Sequence, residues 1–178
     1  IILADADLEK AAEALILGRL ARGNGQICCA VKRIFVHASV HDRFADLLTT
    51  KAKALKVGDQ LQEDTDVGPL ISESAAQGVE EVVNAAIQAG AKLRAGGKRR
   101  GAFMEPTVLT DVPVDVPMFK EETFGPVAPL VRFTSVDDAI RMANDSPYGL
   151  QSAVFTQDIN QAVAIAYHVD GHLGAAQL

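Results

Sequence analysis

The sequence predicts an α/β fold built around a largely parallel β-sheet. Segments with the apolar spacing of helices alternate with short predicted strands along the chain, a pattern typical of α/β layers. The strand predicted at residues 33–38 contains the apolar run Ile34, Phe35 and Val36, which favours a sheet covered on both faces. Because 178 residues suffice for one domain with a real core, we assign residues 1–178 to a single domain.

The first half of the chain is predicted to be mainly helical around that strand. Asp7 is a suitable N-cap for the first helix, and Gly23, Asn24 and Gly25 are expected to end it. An acidic loop at residues 59–70 separates the second helix from the third. The predicted helices in this half cover residues 8–22, 40–55 and 72–89.

The second half of the chain is predicted to contain most of the strands. A Gly-Gly pair at residues 96–97 predicts a turn after the first of them. Ser135 and Asp158 are suitable N-caps for two further helices, and Asp138 is placed to complete a capping box with Ser135. The predicted strands cover residues 92–95, 106–112, 128–133 and 152–156, and the predicted helices cover residues 135–143 and 158–168.

Composition and charge exclude several kinds of partner. The chain is 48% apolar, yet it lacks the roughly 20-residue apolar run of a membrane span, so we predict no membrane partner. The net charge is −6 and the largest basic cluster is residues 98–100, so nucleic acid is not expected to bind. The two cysteines, Cys28 and Cys29, are adjacent and cannot form a disulfide framework, which favours a reducing, cytoplasmic location.

Cys28 is the best candidate for a nucleophile. It follows Gly25 and Gln26 at the break after the first helix, where a turn would expose its sulfur and nearby backbone N–H groups. A thiolate attacks carbonyl carbons, and backbone N–H groups stabilise the oxyanion that develops. The residues alone leave open the common alternative of a buried, unreactive cysteine, and Cys29 has the same alternative.

Glu122 and Phe124 form a second candidate group in the sequence Glu-Glu-Thr-Phe-Gly-Pro at residues 121–126. A carboxylate can accept hydrogen bonds from a ribose diol, and a phenyl ring offers a flat apolar wall to a heteroaromatic ring. The Gly-Pro pair is expected to stiffen this loop. The alternative is an exposed acidic turn in which both glutamates are solvated.

The sequence contains no comparable pattern for a metal or a phosphate. His37 and His41 are four residues apart, but the predicted change from strand to helix lies between them. They also lack the acidic partner of a zinc-protease motif, so we predict no metal site. Neither a P-loop nor a Gly-x-Gly-x-x-Gly fingerprint occurs in the sequence.

Motifs along nearly the whole chain resemble those of the aldehyde dehydrogenase family. Gly-Gln-Ile-Cys at residues 25–28 resembles the family's nucleophile motif, and Glu-Glu-Thr-Phe-Gly-Pro-Val at residues 121–127 resembles a second family motif. One departure is Gly23, which stands where the family often has asparagine, whereas Asn24 follows one residue later. Further matches, in the family's order, are residues 2–9, 67–71, 106–109 and 148–156.

The resemblance implies both a fold and a chemistry. The fold is a three-layer α/β/α arrangement with an open, largely parallel twisted sheet, as in the family's catalytic domain. Cys28 corresponds to the catalytic thiol, which attacks a small aldehyde; hydride transfer to NAD or NADP and hydrolysis of a thioester then give the carboxylic acid. Glu122 corresponds to the carboxylate that holds the nicotinamide ribose, and Phe124 to the ring beside the nicotinamide.

The resemblance also suggests that the chain is most of a catalytic domain taken from a longer enzyme. The family's nucleotide-binding domain, general-base glutamate and oxyanion-hole asparagine would precede Ile1, and closing segments would follow Leu178. We therefore expect the longer enzyme to be a homo-oligomer and the isolated chain to be inactive. Two alternatives stay open, a CoA-acylating semialdehyde dehydrogenase of the same superfamily and a catalytically silent structural fragment.

The sequence does not identify the aldehyde or choose between NAD and NADP. Three basic residues near Cys28, namely Arg22, Lys32 and Arg33, would suit an anionic aldehyde such as a semialdehyde. A structural role for Arg33 is the other interpretation, because basic residues beside a strand are often solvated.

Overall fold

The structure of the protein, a computed structural model, describes residues 1–170 and 173–177, with the backbone alone at Arg22 and at 173–177. The helices are α1 (Leu8–Leu15), α2 (Ala38–Lys53), α3 (Glu73–Gln88), α4 (Pro117–Lys120), α5 (Val136–Asn144) and α6 (Ile159–His168). The strands are β1 (Ile34–His37), β2 (Lys92–Ala95), β3 (Arg99–Arg100), β4 (Phe103–Met104), β5 (Thr107–Thr110), β6 (Val127–Phe133), β7 (Ser152–Phe155) and β8 (Leu173–Gln177).

The central sheet has the strand order β1-β6-β5-β2. Strand β6 is parallel to both neighbours, with Ile34 opposite Leu130 and Thr107 opposite Val127, whereas β2 is antiparallel to β5. Strands β7 and β8 form a parallel pair, and Ile2 bridges this pair to the central sheet through parallel contacts with β1 and β7. The largely parallel sheet predicted from the sequence is confirmed.

Helices cover both faces of the central sheet. Side chains alternate along β1, so that Ile34 and Val36 pack in one buried cluster with α1 and α2, whereas Phe35 packs in the other cluster with α3 and α5. This alternation explains the continuous apolar run in β1, because each side chain reaches a covered face. The predicted three-layer α/β/α arrangement is therefore confirmed.

The helix N-caps follow the sequence prediction at most positions. The Asp7 carboxylate accepts the Lys10 N–H at 3.1 Å, and the Ser135 hydroxyl accepts the Asp138 N–H at 3.3 Å. The predicted capping box at Ser135 is only half formed. The Asp138 carboxylate accepts a hydrogen bond from Arg141 at 2.9 Å, one turn further along α5.

The first helix differs from the prediction. Helix α1 ends at Leu15, and the chain continues as a π-helix (Ile16–Ala21) and a 3₁₀ turn (Arg22–Gly25). Gly23 and Asn24 have positive φ angles of 64° and 53°, so the chain turns sharply before Cys28. The sequence prediction also missed the β3–β4 hairpin and the short helix α4, since each contributes too few residues for a repeating pattern.

None of the helices in the described part of the chain is both long and apolar enough to cross a lipid bilayer.

Candidate active site around Cys28

Cys28 lies in an irregular segment between the 3₁₀ turn and β1; we call this segment, together with the last three residues of the turn, the Cys28 loop (residues 23–33). Both cysteines are free thiols, and both are exposed. The Ala30 N–H donates to the Ile27 carbonyl at 3.0 Å and closes a turn around the thiols. Within the described residues, the N–H groups of Cys28 and Cys29 have no acceptor, so both are available to a ligand oxygen beside the sulfur.

The two thiols line a cleft of about 860 Å³. Its polar lining includes Lys32 and Glu122, so the structure brings the predicted nucleophile and the predicted carboxylate into one cleft. Four large apolar side chains that line the cleft are more than a third exposed, namely Leu17, Ile27, Tyr148 and Leu150. A mixed apolar and polar lining of this kind suits a small organic molecule.

A second loop, residues 121–126, carries Glu122 and Phe124, and we call it the Glu122 loop. It touches the Cys28 loop backbone to backbone at Gly25. A Cβ atom on Gly25 would lie 2.1 Å from the Gly125 carbonyl oxygen, and the φ angle of Gly25 is +70°. Glycine is required at this position because a side chain would force the two loops apart.

Arg19 is a buried residue that forms hydrogen bonds with both loops. Its guanidinium donates to the carbonyls of Val127 at 2.5 Å, Thr123 at 2.9 Å and Gly25 at 3.4 Å. The side chain is fully buried, and in the described part of the chain no carboxylate pairs with it. Burial lowers the pKa of Arg19 to about 9, so the guanidinium still carries its charge at neutral pH.

The other side of the Cys28 loop is held by residues 67–71. The Asn24 side chain donates to the carbonyls of Gly68 at 2.9 Å and Pro69 at 3.1 Å, and Gln26 accepts the Ile71 N–H at 2.8 Å. Next to Gly23, the Asn24 side chain therefore bonds the Cys28 loop to the neighbouring segment.

Lys32 contacts both predicted cofactor residues. Its Nζ atom donates to the Cys28 carbonyl at 2.8 Å and lies 3.0 Å from Glu122 Oε1. The same atom lies 5.1 Å from the centroid of the Phe124 ring, within cation–π range. Phe124 is 40% exposed and lines a second cleft, of about 830 Å³, on the other side of the Cys28 loop together with Asn24 and Gln26.

The remaining basic residues near Cys28 do not offer a free cation in the described structure. Arg33 donates to the carbonyls of Met142 at 3.2 Å and Ala143 at 3.0 Å, at the end of α5, which supports the structural interpretation. Burial lowers its pKa, although the nearby Asp145 opposes that change. The side chain of Arg22 lies outside the described residues.

The sequence analysis missed Arg19, and it considered Lys32 only as a cation for an anionic aldehyde, not as a partner of Glu122. Arg19 follows Leu8, Ala12 and Leu15 at helical spacing, so its inward position was available from the pattern. A charged residue on an inward position, next to a break in the helix, would have indicated a buried polar contact.

His37 and His41 line neither cleft of the candidate active site. His37 bonds the Ser39 hydroxyl at 2.8 Å at the start of α2. His41 is buried on α2, and burial lowers its pKa against the opposing hydrogen bond with Asp42. In the part of the chain that the structure describes, no group of three or more potential ligand residues is placed to hold a metal ion.

Glu122 and Phe124 are close in the chain but line different clefts, Glu122 the one that holds Cys28 and Phe124 the second. Glu122 is partly exposed, and one of its carboxylate oxygens is paired with Lys32, whereas the other has no partner among the described residues and could accept a ribose hydroxyl. Phe124 presents an exposed ring two residues away.

A family model described as "Aldehyde dehydrogenase family" matches residues 1–174. The chain is 42% identical over 170 residues to a 3-sulfolactaldehyde dehydrogenase of Priestia aryabhattai, a match that covers 96% of this chain and 35% of that protein. It is 47% identical over 170 residues to a lactaldehyde dehydrogenase of Methanocaldococcus jannaschii, covering 96% of this chain and 36% of that protein.

A comparison with solved structures also finds similarity to a dehydrogenase. The crystal structure of glyceraldehyde-3-phosphate dehydrogenase GapN from Methanocaldococcus jannaschii, complexed with NADP, superposes with a TM-score of 0.92 and 45% sequence identity. That match covers 97% of this chain and 37% of the GapN chain. The chain thus spans about a third of the length of the proteins that it matches.

Proposed function

Because this chain belongs to the aldehyde dehydrogenase family, we propose that it supplies the nucleophile and the nicotinamide-ribose contacts for oxidising an aldehyde to a carboxylic acid. The observation that carries the proposal is the exposed Cys28 thiol, which shares a cleft with Glu122; the backbone carbonyl of Cys28 is linked to Glu122 through Lys32. We assign the activity to a longer protein that contains this chain, which we call the intact enzyme.

In the proposed reaction, the Cys28 thiolate attacks the aldehyde carbon. A C–S bond forms, the carbonyl π electrons move onto oxygen, and the result is a thiohemiacetal. The N–H groups of Cys28 and Cys29, which have no acceptor among the described residues, are proposed to donate to the developing oxyanion. After oxidation to the thioester, addition of water breaks the C–S bond, releases the acid and returns the thiol.

Glu122 and Phe124 are the residues proposed to hold the cofactor. When bound, NAD or NADP accepts the hydride that leaves the thiohemiacetal carbon. The Glu122 carboxylate accepts hydrogen bonds from the ribose hydroxyls, and the exposed Phe124 ring packs against the heteroaromatic ring. Arg19 and the contact between Gly25 and Gly125 fix the distance between these residues and Cys28.

The test uses the intact enzyme with NAD⁺ or NADP⁺ and a panel of aldehydes, both anionic (succinate semialdehyde) and neutral (lactaldehyde, benzaldehyde). Formation of reduced nicotinamide is followed by absorbance. Cys28→Ala should lower kcat by at least about 10³-fold, because the nucleophile is lost. Cys29→Ala is the matched control and should retain activity, since the Cys29 thiol is also exposed but is not assigned a role.

Thiol reactivity gives an independent measurement. Low-dose iodoacetamide followed by peptide mapping should label Cys28 before Cys29. Preferential labelling of Cys29, or retained turnover in Cys28→Ala, would show that the nucleophile has been assigned to the wrong residue.

The 178-residue chain by itself should show no turnover with the same aldehydes and cofactors, because its relatives are about three times as long. Steady turnover by the isolated chain would mean that these residues hold the whole active site.

We also propose that the intact enzyme is a homo-oligomer in the cytoplasm. The family resemblance supports the oligomer, and two unpaired cysteines support a reducing compartment. Light scattering during size-exclusion chromatography should give a mass at least twice that of one polypeptide, and a monomeric mass would contradict the proposal.

A further inference from the structure

Lys32 connects the two loops of the candidate active site through a single nitrogen. Nζ lies 2.8 Å from the Cys28 carbonyl oxygen, 3.0 Å from Glu122 Oε1 and 5.1 Å from the Phe124 ring centroid. Its side chain is only 14% exposed, so most of the aliphatic stem is packed. A lysine held in this way has a fixed ammonium position, unlike a lysine on an open surface.

Glu122 depends on Lys32 for its orientation. Among the side chains that the structure describes, which do not include that of Arg22, no other group forms an ion pair or a hydrogen bond with the Glu122 carboxylate. The backbone beside it is fixed, because Arg19 donates to the Thr123 carbonyl. The glutamate side chain itself has several rotatable bonds, and it is free to sample other rotamers when the ammonium is absent.

We propose that Lys32 is a positioning residue that holds the Glu122 carboxylate ready for the cofactor ribose. The ion pair occupies Oε1 and leaves Oε2 without a partner among the described residues, so one oxygen fixes the carboxylate and the other receives a ribose hydroxyl. This inference rests on the proposed function, which assigns the ribose to Glu122.

The link to Cys28 gives the pair a second role. Since the ammonium also binds the Cys28 carbonyl, the carboxylate is placed relative to the nucleophile's own backbone. The cofactor that Glu122 receives is therefore placed relative to the thiol. Alignment of this kind supplies much of the rate in reactions between two bound groups.

The contacts of Lys32 argue against a role in binding an anionic substrate. Its charge already faces a carboxylate, and its remaining contacts are a carbonyl oxygen and an aromatic ring. A substrate carboxylate would have to compete with Glu122 for the same ammonium. The proposal therefore predicts that loss of Lys32 weakens cofactor binding and leaves aldehyde binding unchanged.

The experiment measures the Kd of NAD⁺ and NADP⁺ by isothermal titration calorimetry on the intact enzyme and its variants, without turnover. Lys32→Met should weaken cofactor binding roughly tenfold, because one charged hydrogen bond orients the carboxylate. Lys32→Arg keeps a cation and donors, and it should restore binding to within about threefold of wild type. The KM for the aldehyde should not change in either variant.

A double-mutant cycle separates positioning from general destabilisation. If Lys32 acts through Glu122, Lys32→Met in a Glu122→Ala background should cause no further loss of cofactor affinity. Lys51→Met is the matched control, because Lys51 also pairs with a glutamate, Glu9 at 3.1 Å, but lines neither cleft. Its cofactor Kd should equal that of wild type.

Three outcomes would overturn the proposal. The first is a Lys32→Met variant whose cofactor Kd stays within about twofold of wild type. The second is simple additivity of the Lys32 and Glu122 changes. The third is slower alkylation of Cys28 with unchanged cofactor affinity, which would mean that Lys32 acts on the thiol. If the wild-type enzyme binds neither NAD⁺ nor NADP⁺, the proposed function itself fails and this inference fails with it.

Discussion

Gly25→Ala should impair catalysis in the intact enzyme while the fold is retained. The added methyl carbon would lie 2.1 Å from the Gly125 carbonyl oxygen, whereas ordinary contacts begin at 3.4 Å. The two loops must therefore separate here by about 0.9 Å to reach the 3.0 Å limit of real contacts, and by about 1.3 Å to reach an ordinary contact of 3.4 Å. Because the contacting atoms belong to the backbone, rotation of a side chain cannot relieve the overlap.

The expected effect on rate follows from that displacement. Cys28 and Glu122 lie three residues from the two contacting glycines, so separation of the loops moves the nucleophile away from the cofactor residues. A misplacement of about 1 Å can reduce a rate by about 10²-fold. The φ angle of +70° adds strain, on the order of 1–2 kcal/mol for a residue with a side chain.

The assay compares kcat for Gly25→Ala with kcat for Gly78→Ala. Gly78 lies in α3 and is exposed, and a Cβ atom there would meet nothing within 4 Å beyond the helix's own backbone, so alanine should leave kcat unchanged. Gly78→Ala should also raise the free energy of unfolding by about 0.5–1 kcal/mol, because alanine has the higher helix propensity. A Gly25→Ala variant with an unchanged circular dichroism spectrum and kcat within about threefold of wild type would refute the reasoning.

Three further predictions concern stability and the cofactor. Arg19→Met should lower the free energy of unfolding by about 3 kcal/mol, because buried carbonyls lose their donor. Arg33→Met should lower it by only about 1 kcal/mol, because water can reach the carbonyls that Arg33 binds. Thermal denaturation should give a lower melting temperature for Arg19→Met than for Arg33→Met, and the reverse order would contradict the prediction. Glu122→Ala should raise the cofactor KM while the melting temperature changes little. Unchanged kcat and cofactor KM would remove the role assigned to Glu122. A hydrogen bond from Lys92 holds the pKa of Asp111 below its usual value; burial opposes this shift, and a weaker hydrogen bond from Arg132 adds to it. The Asp111 carboxylate therefore stabilises the fold above pH about 4, and this contribution is lost in stronger acid. Lys92→Met should reduce that acid-dependent loss in melting temperature, and an unchanged acid dependence would count against it.

Most of the fold followed from local sequence patterns. Strand β1 was predictable because both faces of the sheet are covered, which leaves a continuous apolar run at Ile34, Phe35 and Val36. The helix starts at Asp7 and Asp158 were predictable because the cap is a local hydrogen bond between a side chain and the next turn. Such features depend only on residues that are close in the sequence.

The parts that were missed depend on contacts between distant residues. The π-helix at residues 16–21 keeps Arg19 pointed towards Val127 and Thr123, which lie more than one hundred positions away in the chain. The apolar spacing along α1 predicts only that the helix continues. It contains no information on the distant carbonyls that Arg19 contacts. Lys32 was similarly interpreted as a loose cation near Cys28, because its Glu122 partner lies ninety positions later.

The assignments of Cys28, Glu122 and Phe124 to catalysis and cofactor binding stay predictions. The residues came from family motifs, and the structure adds their surroundings: an exposed thiol, a half-paired carboxylate and a partly exposed ring. The capping box at Ser135 was the clearest local error, since Asp138 pairs forward with Arg141.

The acceptors of Arg19 have a consequence for protein engineering. All three are main-chain oxygens, so the guanidinium holds the two loops whatever side chains those loops carry. Exposed positions such as Ile27 and Glu121 can therefore be randomised to search for new substrates, while the spacing of the loops is preserved. A library of this kind should keep Arg19 constant, because its bonds to the main chain of both loops are independent of the randomised side chains.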